Sequence, residues 1–311
     1  MNNQKDIFFR IFHSIDFEKI KDHPNILIAA NFWEEERFQA ARTCYKFMRS
    51  LDDLIDNYKA EHKIITDVER NILIKNAENW IHSIRSTGND NSGQHELNEM
   101  VKRYNIPLWP MEDFVKSMIY DINHNGFKSI PSFIDYSQGA SVAPASIFVH
   151  LTGLQRNGNE YIPPAFDVRE VSSPCALFSY FVHIIRDFVK DQLNNLNYFA
   201  EDIMLKNNLN GEKLSDMAKG AELSDGFREM MKEYYMIADE YRIKTEKMLK
   251  VICPLLEPRY QLSLKIIFDL YLMVFERIDV EHGNFSTPEL NPTSSETRER
   301  VYSKILEFFH N

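Results

Sequence analysis

Glycine is scarce, with 10 residues in a chain of 311. Folds made of many tight turns need more, because glycine adopts positive φ without strain. The shortage therefore points to helix. Cysteine is scarcer still. Cys44, Cys175 and Cys253 are odd in number, far apart and set among apolar neighbours. That argues against a disulfide framework and for buried free thiols in a reducing, cytoplasmic setting. No run approaches the ~20 apolar residues of a membrane span, and the opening MNNQKDIFFR lacks the apolar core of a signal peptide. Basic clusters are missing and the net charge is −10, which speaks against nucleic acid as a partner. A G-x-G-x-x-G fingerprint is also missing, so a built-in NADPH site has no support in the sequence.

What is present is an ordinary globular composition, 44% hydrophobic and 26% charged. Residues 34–60 keep a 3.6-residue period through Phe38, Ala41, Tyr45 and Met48. Further helices are expected over about 66–85, 110–126 and 131–154, then over 174–191, 225–255 and 259–280. Residues 86–94 and 157–166 read as loops. TSSE, 293–296, is a capping box that opens a last helix. No segment has a strand period, no repeat is visible and no long linker divides the chain. The expected architecture is all-α, one domain over residues 1–311.

Two helices carry acids at an unusual spacing. RSLDDLIDNY, 49–58, holds Asp52 and Asp56 at i and i+4, with Asp53 between them. Like charges so placed repel. A solvated face, with Arg49 paired to Asp52 or Asp53, would offset that, and so would a metal ion. HIIRDFVKD, 183–191, repeats the spacing with Asp187 and Asp191, and adds His183 one turn earlier. Here the helix is apolar nearly all round, so unpaired carboxylates would be costly. Arg186 and Lys190 are available as partners. Two such pairs suggest facing carboxylates that hold Mg²⁺, or Mn²⁺ in its place, together with the oxygens of a substrate diphosphate. YSQGASVAPAS, 136–146, concentrates small residues around Pro144. Ala140 and Ala143 there either leave a tunnel for a long apolar tail or allow close helix packing.

Taken in order, these segments resemble the squalene/phytoene synthases, the head-to-head prenyl synthases, over about residues 25–280. CYKFMRSLDDLIDNY resembles the first aspartate motif. FVKSMIYDINHNGFKSIPSFIDYSQGASVAP resembles the middle segment, with Asp121 and Tyr136 at matching places. HIIRDFVKDQLNNLNYF resembles the second aspartate motif with its following Tyr198, and FDLYLMVFERI the late helix with Tyr271.

The resemblance implies an all-α isoprenoid synthase fold, a helical bundle with a central cavity, and metal held by Asp52, Asp56, Asp187 and Asp191. It implies Arg49 and Arg186 on diphosphate and catalytic tyrosines at 136 and 271. The reaction implied is head-to-head joining of two C15 or C20 allylic diphosphates, and peripheral membrane contact would serve release of an apolar product. Two departures stand out. Tyr180 and His183 occupy the places where the family usually has Gln and Asn, and the segment 23–37 lacks the usual aromatic and Leu-Pro pattern. His183 reads either as a diphosphate partner or as a core histidine. The alternative functions are a non-catalytic relative that binds an isoprenoid or a protein, and a terpene cyclase or head-to-tail synthase. The second motif that either of the latter would carry is missing.

Overall fold

A computed structural model of the protein describes residues 2–19, 25–62, 64–85, 92–158 and 160–310. The helices in chain order are α1 (Asn2–Ser14), α2 (Asn25–Ala30), α3 (Glu35–Glu61), α4 (Asp67–Arg85), α5 (Ser92–Arg103), α6 (Trp109–Asn123), α7 (Ile130–Ser137) and α8 (Ala143–Gly153). They continue as α9 (Val168–Arg186), α10 (Phe188–Leu193), α11 (Glu201–Lys206), α12 (Gly211–Ala218), α13 (Asp225–Ile252), α14 (Pro258–Phe275), α15 (Thr287–Leu290) and α16 (Ser294–His310). The all-α expectation holds. One small exception is an antiparallel hairpin of β1 (Gln155–Asn157) and β2 (Glu160–Ile162), in which Arg156 faces Tyr161. This corrects the reading of 157–166 as loop. Three-residue strands are too short to show a period. Of the loop expected at 86–94, residues 86–91 lie outside the described residues, and 92–94 already belong to α5.

Helix starts follow their caps. Asp167 accepts from the amides of Arg169 and Glu170 at 2.8 and 3.1 Å, and Ser224 opens α13 in the same way. Thr293 and Glu296 form the expected reciprocal box ahead of α16. Pro258 sits in the first turn of α14, where its missing N–H has no helical partner to lose.

Two apolar clusters fill the interior. One gathers α1–α6 around α14 and α16, and the other gathers α7 and α9–α13. Helix α9 lies between α13, α8 and α14, which explains its almost continuous apolar surface. Two irregularities interrupt the helices beside the interior. Between α7 and α8 the chain widens into a π turn, Gln138–Val142, closed by the amide of Ala143 on the carbonyl of Gln138. Pro144 has no N–H to give the preceding turn, and the wide turn precedes it. Gly139 lies in the π turn where it meets α6: a Cβ there would stand 2.1 Å from the carbonyl oxygen of Asp113. The second irregularity is a break at Asp187 (φ −92°, ψ 8°), where α9 ends and α10 begins. The expected single helix over 174–191 is thus two.

Candidate active site

A cavity of about 1150 Å³ is bounded by α3, the π turn with α8, α9–α10, α13 and α14. One end is charged and reaches solvent, with Arg49 and Asp53 each nearly half exposed. The rest is walled by Phe148, Val149, Ile252, Leu264 and Ile267, among others.

Both aspartate motifs line this one cavity, from different helices. On α3 the period sends Met48, Leu51 and Ile55 into the core and turns Asp52 and Asp56 to the cavity wall. Arg49 bridges Asp52 at 2.9 Å and Asp53 at 2.7 Å. Across the cavity, the break at Asp187 keeps the local ladder: the amide of Asp187 bonds the carbonyl of His183, and that of Asp191 bonds the carbonyl of Asp187, each at 2.8 Å. His183, Asp187 and Asp191 therefore stay on one stripe. Arg186 grips Asp187 with two hydrogen bonds, 2.7 Å from Nε and 2.6 Å from a terminal nitrogen. Tyr198 senses the charges of both Asp56 and Asp191, so the two pairs face a common space.

The carboxylates are unequally compensated. Burial, against the pull of Arg49, pushes Asp52 up to about 6. Burial and the Asp52 charge push Asp56 up to about 8, and burial with Asp187 beside it takes Asp191 to about 7. Asp187 is also buried, but the Arg186 fork outweighs that and holds it below the usual range. Neither Asp56 nor Asp191 forms an ion pair among the described residues. The deficit at these two carboxylates is of positive charge. No three His, Cys, Asp or Glu side chains among the described residues cluster tightly enough to hold an ion by themselves. Carboxylates in separate pairs suit Mg²⁺, which retains waters and takes further oxygens from a phosphate ligand.

Other expected site residues divide. Tyr136, Tyr198, Tyr271, His183 and Arg186 line the cavity, as does Ala140. The His183 ring stands edge-on to Tyr271, with centroids 5.1 Å apart. Burial, then the Arg186 charge, pushes His183 down to about 3, so it is neutral. Two expectations need correction. Ala143 is fully buried and does not line the cavity, because the π turn shifts the register after Ala140. Asp121 does not line it either. It is buried behind Tyr136, whose hydroxyl donates to its Oδ2.

The sequence reading missed Lys59, which stands 3.7 Å from Asp121 Oδ1 and is 7% exposed. A signal for it existed. The buried stripe Cys44, Met48, Leu51, Ile55 continues to position 59, where a lysine replaces the expected apolar residue. Tyr45, Cys175 and Tyr180 also line the cavity.

A profile of squalene/phytoene synthases matches residues 21–298. Among solved structures, a dehydrosqualene synthase in complex with ligand superposes with a TM-score of 0.64 at 13% identity, covering 98% of this chain and 99% of that one. Squalene synthase HpnC from Alicyclobacillus acidocaldarius gives 0.54 at 12% identity, over 77% of this chain and 93% of its own. YisP from Bacillus subtilis strain 168 gives 0.62 at 11% identity, over 97% of each chain. These identities establish a shared fold. No curated protein is significantly similar in sequence.

Proposed function

Because the chain belongs to the squalene/phytoene synthase family, and is a prenyltransferase of the head-to-head kind by that membership, we propose that it joins two C15 or C20 allylic diphosphates in a Mg²⁺-dependent reaction that releases pyrophosphate. The observation that carries this reading is the convergence of two carboxylate pairs at the charged end of one otherwise apolar cavity.

In this reading Asp52 and Asp56 on one wall, and Asp187 and Asp191 on the other, hold magnesium. Bound magnesium supplies the positive charge that lets an allylic diphosphate depart. Arg49, Arg186 and Lys190 stand at the same end and bind the diphosphate oxygens directly. Neutral His183 donates one further hydrogen bond. The tails lie along the apolar wall, beside Ala140, where water is kept from the allylic cation. The double bond of the second substrate attacks that cation. Closing the new cyclopropane ring requires loss of one proton.

In this reading Tyr136 takes it. Its hydroxyl already donates to Asp121, so the oxygen can accept a proton from carbon while passing its own to the carboxylate. Burial and the Asp121 charge hold the phenol well above its usual range, which favours such a concerted transfer over a free phenolate. Tyr271 and Tyr198 border the same space and steer the cation by their ring faces.

The test is incubation with farnesyl or geranylgeranyl diphosphate, with and without Mg²⁺ and NADPH, followed by pyrophosphate assay and mass spectrometry. The expected result is Mg²⁺-dependent pyrophosphate release with a C30 or C40 product. Release without any carbon–carbon coupling would sink the proposal.

A further inference from the structure

Lys59 is a charged side chain on the buried face of α3, held at the end of α6 by Asp121 and the His124 carbonyl. The ammonium donates to the carbonyl oxygens of Asp121 and His124 at 3.1 and 3.3 Å and lies 3.7 Å from Asp121 Oδ1. The other oxygen of that carboxylate takes the Tyr136 hydroxyl. Ser117 fixes the same tyrosine from behind, its hydroxyl donating to the Tyr136 carbonyl at 2.7 Å. The result is one chain from the cavity wall inward: Tyr136, Asp121, Lys59. At its far end Lys59 and Asp121 border a second hollow, of about 230 Å³, with His62 and His124.

We infer that Lys59 is a positioning residue for the reaction, acting through Asp121. It holds the Asp121 carboxylate aimed at the tyrosine, so that Tyr136 can pass its proton there as it receives one from the substrate. The argument is electrostatic. Asp121 is buried, and besides Tyr136 it faces the carboxylates of Asp52 and Asp56 on α3 and the phenols of Tyr180 and Tyr198. On its own helix stand Tyr120 and, just beyond it, His124, which is exposed. Lys59 supplies the only direct ammonium or guanidinium contact to Asp121 among the described residues. Burial raises the Asp121 carboxyl even with Lys59 in place; without that contact only the Tyr136 hydroxyl, among the described residues, would hold the carboxylate in line to receive the phenolic proton. The step balances: the C–H bond breaks and its electrons close the ring. The proton goes to the Tyr136 oxygen, the phenolic proton goes to Asp121, and water in the second hollow then removes it.

The role rests on the reaction proposed for the main cavity, and the experiment separates the two. Lys59→Met keeps the length of the stem and removes the charge. It is expected to lower kcat roughly 10- to 100-fold, the range for a lost hydrogen bond to a charged group, while KM for the prenyl diphosphate changes little. In an Asp121→Asn background the same change should have almost no further effect on kcat. Ethylamine added to Lys59→Ala, entering through the second hollow, should restore part of kcat, which a merely structural role would not do. An unchanged kcat in Lys59→Met would overturn the role. So would an equal loss in the Asp121→Asn background, or a Lys59→Ala loss that ethylamine leaves untouched. Absence of coupled product from the unaltered protein would overturn the reaction assignment, and this role with it.

Discussion

Without a bound cation, burial chiefly pushes the carboxyls of Asp56, Asp191 and Asp52 up to about 8, 7 and 6. Each is raised above its unfolded value near 3.9, so between those limits the folded state binds more protons than the unfolded one. Stability without metal should therefore fall as pH rises from about 4 towards 8. Added Mg²⁺ should restore it most at the upper end, where the carboxylates are charged. Thermal melts with EDTA or Mg²⁺ across that range check this, and Asp56→Asn should flatten both effects. His183 behaves differently. Burial and Arg186 keep it neutral, with a pKa of about 3, so it presents the same uncharged ring throughout. His183→Leu should lower kcat/KM by the equivalent of about 1.5–3 kcal/mol, by the same factor at pH 6 and pH 8. His183→Asn should retain most activity. A loss in both variants that tracks thermal stability would return His183 to the core. The spacing at 52/56 and 187/191 made these residues legible in the sequence, because i and i+4 share a helix face whatever the fold. The pairing of Lys59 with Asp121 was not legible. It joins positions 62 apart in the chain, and no local period reports such a contact.

Among the elements, α3 was readable because it holds one period over many turns, and α9 because it is apolar nearly all round. The π turn and the break at Asp187 were not, since each adds or bends by a single residue without altering composition. Their consequence is direct at the small-residue segment, where the sequence treats Ala140 and Ala143 alike and the structure separates them. Ala140→Phe should project into the cavity, shorten the accepted substrate or stop turnover, and leave the melting temperature nearly unchanged. Ala143→Phe should instead overpack a fully buried site and cost roughly 1–3 kcal/mol or more in unfolding free energy. Product analysis beside denaturant titration distinguishes the two. Equal melting temperatures for both would contradict this register.

At the scale of the molecule, no helix among the described residues is long and apolar enough to cross a membrane. The reaction proposed above would join two prenyl tails and release pyrophosphate, giving a product less soluble than either substrate. Release is then expected to limit steady turnover. Detergent micelles or phospholipid vesicles should raise the steady-state rate while leaving the first turnover unchanged, which rapid-quench measurement of coupled product would show. The predominantly helical fold was legible from scarce glycine and the helical periods, and a cavity within it only through the family resemblance. The size of the cavity was not, because it depends on side chains brought together from six or more separate segments.

The π turn at Gln138–Val142 also sets what kind of genetic change the protein can absorb. Its extra residue joins Tyr136 on one side to Pro144 and the rear wall on the other. Loss of one codon there would let the turn close to α geometry with little rotation of the flanking helices, because the wide turn takes one more residue than an α turn to sweep nearly the same angle. Tyr136 would keep its bond to Asp121, and the change would fall on the cavity wall at Ala140 and Ser141. A one-residue deletion is therefore better absorbed inside this turn than in the straight helices on either side, where it would swing every later side chain to another face.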